Sequence, residues 1–285
     1  MNFKKLSSLV CTAVILMGSF PAWSDMVMGV FPRRPSAETH KSFKPLADKL
    51  SKELGKKVTL VVSRNFKEFW KKVKAKQFDI VHYNQYHYIK SHHQFGYKVI
   101  ATNEEFGSKT IRTQLLVRKD QGLNSVKDLK GKTIVFGGGR KAMVCYIAPK
   151  MLLKKAGLLE GRDYKADFAK NPPSAIIATY HKVADATGCG DIILHVNAMV
   201  KSRVDASQMM SLAETKPYVH LAWAVKGSLP EAKAKKIQAI MVGLKGSEEG
   251  NKILKAAHVT NFHKAVNTDF NIVREMTEYA IGEKL

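Results

Sequence analysis

Residues 134–149, IVFGGGRKAMVCYIAP, gather groups that could hold an anion. A β-type apolar run ends in Gly137-Gly138-Gly139, then Arg140 and Lys141 precede a second apolar run. Glycine tolerates positive φ and lets a ligand approach the main chain closely. Between a strand and a helix, the N–H groups of Gly138 and Gly139 would form a nest at the positive end of the helix dipole. Arg140 would add a bidentate donor and Lys141 a point charge. The competing reading is a tight turn carrying two solvated cations, and no Walker pattern is present. Ala142, Met143 and Val144 follow. Facing a cleft, they make an apolar wall suited to a small organic ligand; facing inward, they are core.

Other candidates sit where strands hand over to helices: Phe31, Phe66, Tyr83 and Asn84. Tyr83 and Asn84 offer polar atoms, whereas Phe66 could equally be core. His82, His87 and His92 are spaced by five, an offset of about 140° on a helix, so they do not converge on a metal. A solvated histidine-rich helix is the expectation, with no metal and no cofactor. Cys145 and Cys189 leave three states open: a disulfide, two thiols, or capture of a soft ligand. No nucleophile elbow, metalloprotease motif or carboxylate pair stands out, so an enzyme is not expected.

The elements that would position these groups alternate. Strands are expected near 27–31, 58–62, 78–82, 97–101, 113–118, 133–136 and 219–225. Helices are expected at 36–54, 66–76 and 83–95, and from Pro230 onward the pattern is almost all helical. Alternation of this kind implies an α/β fold with a largely parallel sheet. In 285 residues it implies two lobes or one large α/β domain, and no Pro-rich linker divides the chain.

Residues 1–24 read as a cleaved export signal: Lys4 and Lys5, a short apolar stretch, then Ala22 and Ser24 before Asp25. The apolar run is about half of the ~20 residues a span needs. After cleavage, the chain is expected to be periplasmic and not membrane-spanning. Its formal charge of +23 is spread along the whole length, which suggests solvated helix faces rather than a nucleic-acid surface. Spread charge still speeds the capture of a small anion.

Two segments carry a family resemblance. Residues 29–89, GVFPRRPSAETHKSFKPLADKLSKELGKKVTLVVSRNFKEFWKKVKAKQFDIVHYNQYHYI, resemble the opening of phosphate/phosphite/phosphonate-type solute-binding proteins of ABC transporters. LLVRKDQGLNSVKDLKGKTIVFGGG resembles the start of that family's second lobe, and the glycine loop, Pro149 and LLKKAGL follow in the family's order. The resemblance implies a two-lobed type II periplasmic-binding-protein fold, with mostly parallel mixed sheets flanked by helices. Lobe one would be 25–112 plus 222–285, and lobe two 113–221. A small anionic solute would be trapped in the cleft between them and handed to an ABC permease. In the alternative, the closed state is presented to a membrane sensor receptor. A monomer is expected.

The family's Ser-Thr-Ser-like run falls on Ala142, Met143 and Val144, so all three hydroxyls are replaced. Its cleft tyrosine falls on Phe66 and its hinge-strand tyrosine near Thr113. Asp191, in TGCGDIIL, and His220, in ETKPYVHLAW, fall where this architecture offers contacts from lobe two and the hinge. Asp191 would receive an amine or cap a turn, and His220 would be a polar anchor.

Overall fold

The computed structural model describes residues 25–285. The expected signal at 1–24 lies outside the described residues. In chain order the elements begin β1 (Met26–Val30), α1 (Ser36–Leu54), β2 (Val58–Val62), α2 (Phe66–Lys74), β3 (Ile80–Tyr83), α3 (Gln85–Phe95) and β4 (Lys98–Glu104). Next come β5 (Thr110–Ile111), β6 (Thr113–Arg118), β7 (Thr133–Gly137), α4 (Ala148–Lys155), β8 (Lys165–Ala169), α5 (Pro172–Tyr180) and β9 (Ala186–Gly190). The rest are α6 (Ile193–Val196), α7 (Ala198–Lys201), β10 (Met209–Glu214), β11 (Tyr218–Val219), β12 (Ala222–Val225), α8 (Glu231–Val242), α9 (Glu248–Ala257), β13 (Asn261–Lys264) and α10 (Asn271–Ile281).

Local chemistry accounts for the best-defined helices. In α1 a stripe of Phe43, Leu46, Ala47, Leu50 and Leu54 is buried, and Gly55 closes the helix in the left-handed conformation. Asn65 caps α2 by accepting from the Glu68 N–H. Asn84 does the same for α3 through the His87 N–H.

Two sheets form the two lobes. The first runs β13-β4-β12-β3-β1-β2 and the second β10-β6-β9-β7-β8. In the first, β1 is parallel to β2 and β3, while β12 runs antiparallel to both β3 and β4. In the second, β7 is parallel to β8 and β9, and β6 and β10 are antiparallel additions. The chain crosses between lobes twice, and the crossings pair as a small ladder, β5 with β11. The C-terminal helix α10 packs against α3 of the first lobe and α4 of the second. One apolar core therefore runs from Phe69 and Tyr83 through to Phe136 and Tyr146.

Three expectations are corrected. The helical tail beyond Pro230 is interrupted by β13, which pairs with β4. The strand expected across 219–225 is broken at His220 and Leu221, which separate β11 from β12. The histidine-rich segment is not a solvated face: His82 and His87 are buried, and only His93 is exposed.

Candidate functional site

β1, β3 and β4 point the same way, so their C-terminal ends share one edge of the first sheet. In open α/β sheets, ligands bind beyond such edges. This edge meets the second lobe directly, because Asn84 Nδ2 donates to the Lys141 carbonyl at 3.1 Å.

Arg33 and Arg34 follow β1 and precede α1. Pro35 stands at the N-cap and provides no side-chain cap, so the helix start keeps its positive end for another partner. Arg33 donates to Glu105 Oε1 at 3.1 Å. Asn103 Nδ2 donates to the same oxygen at 2.9 Å, and Trp223 Nε1 donates to Asn103 Oδ1 at 3.0 Å. Burial alone would raise Glu105, but Arg33 and the hydrogen bonds outweigh it and hold the carboxyl at about 2. Arg34 pairs with Glu38 at 3.3 Å. Burial, reinforced by repulsion from Arg33, pulls Arg34 down to about 10.

Two imidazoles join this cluster. His82 stacks on Trp223 with ring centroids 4.4 Å apart and planes at 9°. Its Nδ1 lies 3.1 Å from the Ala222 carbonyl. A carbonyl only accepts, so Nδ1 carries the proton and Nε2 presents a lone pair. Nε2 is buried without a hydrogen-bond partner. Burial, then the charge of Arg33, hold His82 down at about 3, so the ring is neutral. His220, 2 % exposed at the second crossing, also has a buried Nε2 without a partner. Burial lowers its pKa, with Glu105 opposing and Arg33 assisting.

An aromatic wall continues the edge. Phe31 packs on His82 at 5.2 Å and on Phe66 at 6.1 Å. Phe66 is 40 % exposed and stacks on His87 at 5.3 Å. His87 donates from its main-chain N and from Nδ1 to Asn84 Oδ1, at 2.8 and 2.7 Å. Burial, then the charges of Lys141 and Lys90, hold it at about 3.

The remaining candidates have other roles. Tyr83 points into the core against Phe69 and Tyr97, not into the cleft, because neighbours on a strand face opposite ways. In the glycine loop, Gly138 adopts φ +94°, which a side chain would oppose, and its N–H is bonded to the Ala169 carbonyl. Gly139 is exposed. Arg140 is not a free anion clamp: it donates to Glu160 at 2.5 Å and to Tyr146 at 2.7 Å within lobe two, and lies over Phe168. Lys141 contributes its carbonyl to the seam and keeps an exposed side chain. Ala142 is half-buried. Met143 is buried beneath Thr277 of α10 and opens a π-helical turn over Met143–Ile147.

Thr113 is fully buried at the hinge, where its Oγ1 donates to the Val144 carbonyl and lies 2.6 Å from the Tyr218 hydroxyl. It therefore joins lobe two to the crossing rather than facing a ligand. Asp191 follows β9, half-buried, and accepts from the Ile192 N–H as a turn residue does. Cys145 and Cys189 are both buried and carry free thiols. Among the described residues, no group of three or more His, Cys, Asp or Glu is arranged to hold a metal ion.

Sequence reasoning overlooked Arg33, Arg34 and Glu105 and dismissed His82. The available signal was FPRRPS: two cations at a strand-to-helix junction, directly before a helix start. Nothing in the sequence links Glu105 or His220 to Arg33, because strand order alone brings them together.

The two sheets and their double crossing define a two-lobed α/β fold of the type II periplasmic-binding class. A family model described as "ABC transporter, phosphonate, periplasmic substrate-binding protein" matches residues 28–270, and the chain belongs to that family. Among solved structures, it resembles PhnD1 from Prochlorococcus marinus in complex with methylphosphonate, at 20% identity and a TM-score of 0.74, covering 91% of this chain and 99% of that one. XAC2383 from Xanthomonas citri, bound to ATP, is similar at 15% identity and a TM-score of 0.75, covering 90% of this chain and 97% of that one. A binding-protein component of an ABC phosphonate transporter from Pseudomonas aeruginosa is similar at 13% identity and a TM-score of 0.71, covering 90% of this chain and 86% of that one. The family is periplasmic, a transporter component rather than an enzyme. No helix among the described residues is long and apolar enough to cross a membrane.

Proposed function

We propose that the protein is the exported solute receptor of an ABC importer. It captures a small oxyanion of the phosphonate, phosphite or phosphate class between its lobes and presents the closed form to a permease. The observation that carries this reading is the Arg33–Arg34 pair at the uncapped start of α1, on the sheet edge facing lobe two. The helix end favours negative charge, and Arg33 is oriented in advance by the Trp223–Asn103–Glu105 chain. Phe31 and Phe66 supply an apolar wall for an organic substituent. Closure would exclude water and strengthen the ionic contacts.

The test is calorimetry and thermal shift with methylphosphonate, phosphite and phosphate. A ligand at about 100 times its Kd should stabilise the fold by about 2.7 kcal/mol. Arg33→Gln should weaken binding about 10- to 100-fold, as expected for a lost charge-assisted bond. Arg140→Ala should leave binding unchanged, because that guanidinium is turned onto Tyr146, Glu160 and Phe168 of lobe two. Absence of binding by all three anions would sink the proposal.

A further inference from the structure

The cluster beside Arg33 holds more than cations. His82 and His220 each bury an Nε2 with no hydrogen-bond partner, although buried polar atoms are nearly always satisfied. An unsatisfied buried acceptor is costly to fold around. The two residues belong to one place: His82 stacks on Trp223, whose Nε1 leads through Asn103 and Glu105 to Arg33, and His220 precedes Leu221, whose carbonyl accepts from the Asn103 N–H. No N–H of the nearby guanidiniums reaches either atom.

The tautomer fixes what is missing. His82 spends its proton on the Ala222 carbonyl and His220 is bonded to the Thr110 main chain, so each bare Nε2 lone pair calls for a donor. The His82 ring sits between Phe31, just past β1, and Phe43 of α1, and the Arg33 guanidinium lies over Phe31 at 5.8 Å. An oxyanion seated on the arginines would therefore meet acceptors as well as donors. A fully deprotonated oxyanion offers only oxygen lone pairs and would be opposed there. One that keeps an acidic O–H would satisfy cation and imidazole together.

We propose that His82 and His220 read the acidic proton of the bound anion, so that the site takes singly protonated phosphorus oxyanions, R–PO2(OH)−, and rejects sulfate and sulfonates. The assignment rests on the anion-binding reading above and adds its selectivity. The charged groups facing the two rings are Arg33 and Arg34 from the β1–α1 loop, Glu105 from the end of β4 and Asp191 from the end of β9. Glu105 at about 2, His82 at about 3 and Arg34 at about 10 all keep their state between pH 6 and 8.5, and burial lowers His220 from its usual value, toward the neutral ring. The ligand's own second ionisation is then the expected source of any pH dependence in that range.

Calorimetry on the mature protein tests this with methylphosphonate against methanesulfonate, and phosphate against sulfate, from pH 6 to 8.5. At pH 6, methylphosphonate should bind at least about 100-fold more tightly than methanesulfonate, the scale on which a site built for a hydrogen bond rejects an analogue without it. Its affinity should fall about tenfold per pH unit above its second ionisation. His82→Phe, which keeps an aromatic ring on Trp223, and His220→Phe should each cut the discrimination about tenfold or more. Equal affinity for phosphonate and sulfonate, or a pH-flat phosphonate affinity, overturns the histidine assignment while leaving the anion reading in place. Those two arms use the unaltered protein, so they decide the matter even if a variant does not fold. Discrimination persisting in both folded variants also overturns it. No binding by any of the anions overturns the anion reading, and the selectivity proposal with it.

Discussion

His82 and His87 are the residues through which acid should act on this protein. Both are neutral in the fold, at about 3, while an unfolded chain would protonate them near 6.5. Between these values the unfolded state binds more protons, so stability rises with pH and falls as pH drops below about 6.5. Each histidine contributes about 1.4 kcal/mol per pH unit inside that window. Urea unfolding at pH 7 and pH 5 should show the loss, and His87→Gln should flatten the slope. An unchanged midpoint at pH 5 would mean the rings are not held neutral. The cysteines give a second residue-level expectation. Burial pushes Cys145 up to about 12 and raises Cys189 well above its usual value. A thiol reagent should find none in the native chain beginning at Asp25 and two after unfolding.

At the scale of elements, β9 shows most clearly what pattern reading misses. Its sequence, ATGCG, has no apolar alternation, yet it pairs with β6 and β7 inside the second sheet. Its small residues follow from what covers it. A Cβ on Gly188 would stand 2.2 Å from Pro149 Cγ and 3.1 Å from the Cys145 carbonyl. Gly188→Ala should therefore destabilise by about 1–3 kcal/mol, the usual cost of overpacking. Gly139→Ala, with nothing within 4 Å of the added carbon, should be near neutral. Thermal unfolding of the two variants separates these outcomes. By contrast α1 was readable through its buried stripe and its closing Gly55, because a stripe at helical spacing and a terminal glycine act locally. β13 and β10 escaped notice: they are short edge strands whose partners, β4 and β6, lie far away in sequence.

Across the whole molecule, the lobes touch through Asn84 and Lys141 and share the packing of α10. Asn84→Asp keeps the cap on α3 but replaces the Nδ2 donor with an acceptor facing the Lys141 carbonyl. Ligand affinity should weaken about tenfold, equivalent to one lost hydrogen bond, while α3 survives. Calorimetry together with far-UV circular dichroism checks both halves of that statement. The sequence by itself determined the α/β alternation, the family and the presence of a glycine loop, because each is written in neighbouring residues. It offered that loop's Arg140 and Lys141 as anion contacts, with two solvated cations on a tight turn as the competing reading. Only the tertiary structure decided that Arg140 belongs to Glu160 and that Arg33, Glu105, His82 and His220 share one edge. Strand order in the first sheet and the double crossing bring those four together, and the spacing of residues along the chain carries no record of either.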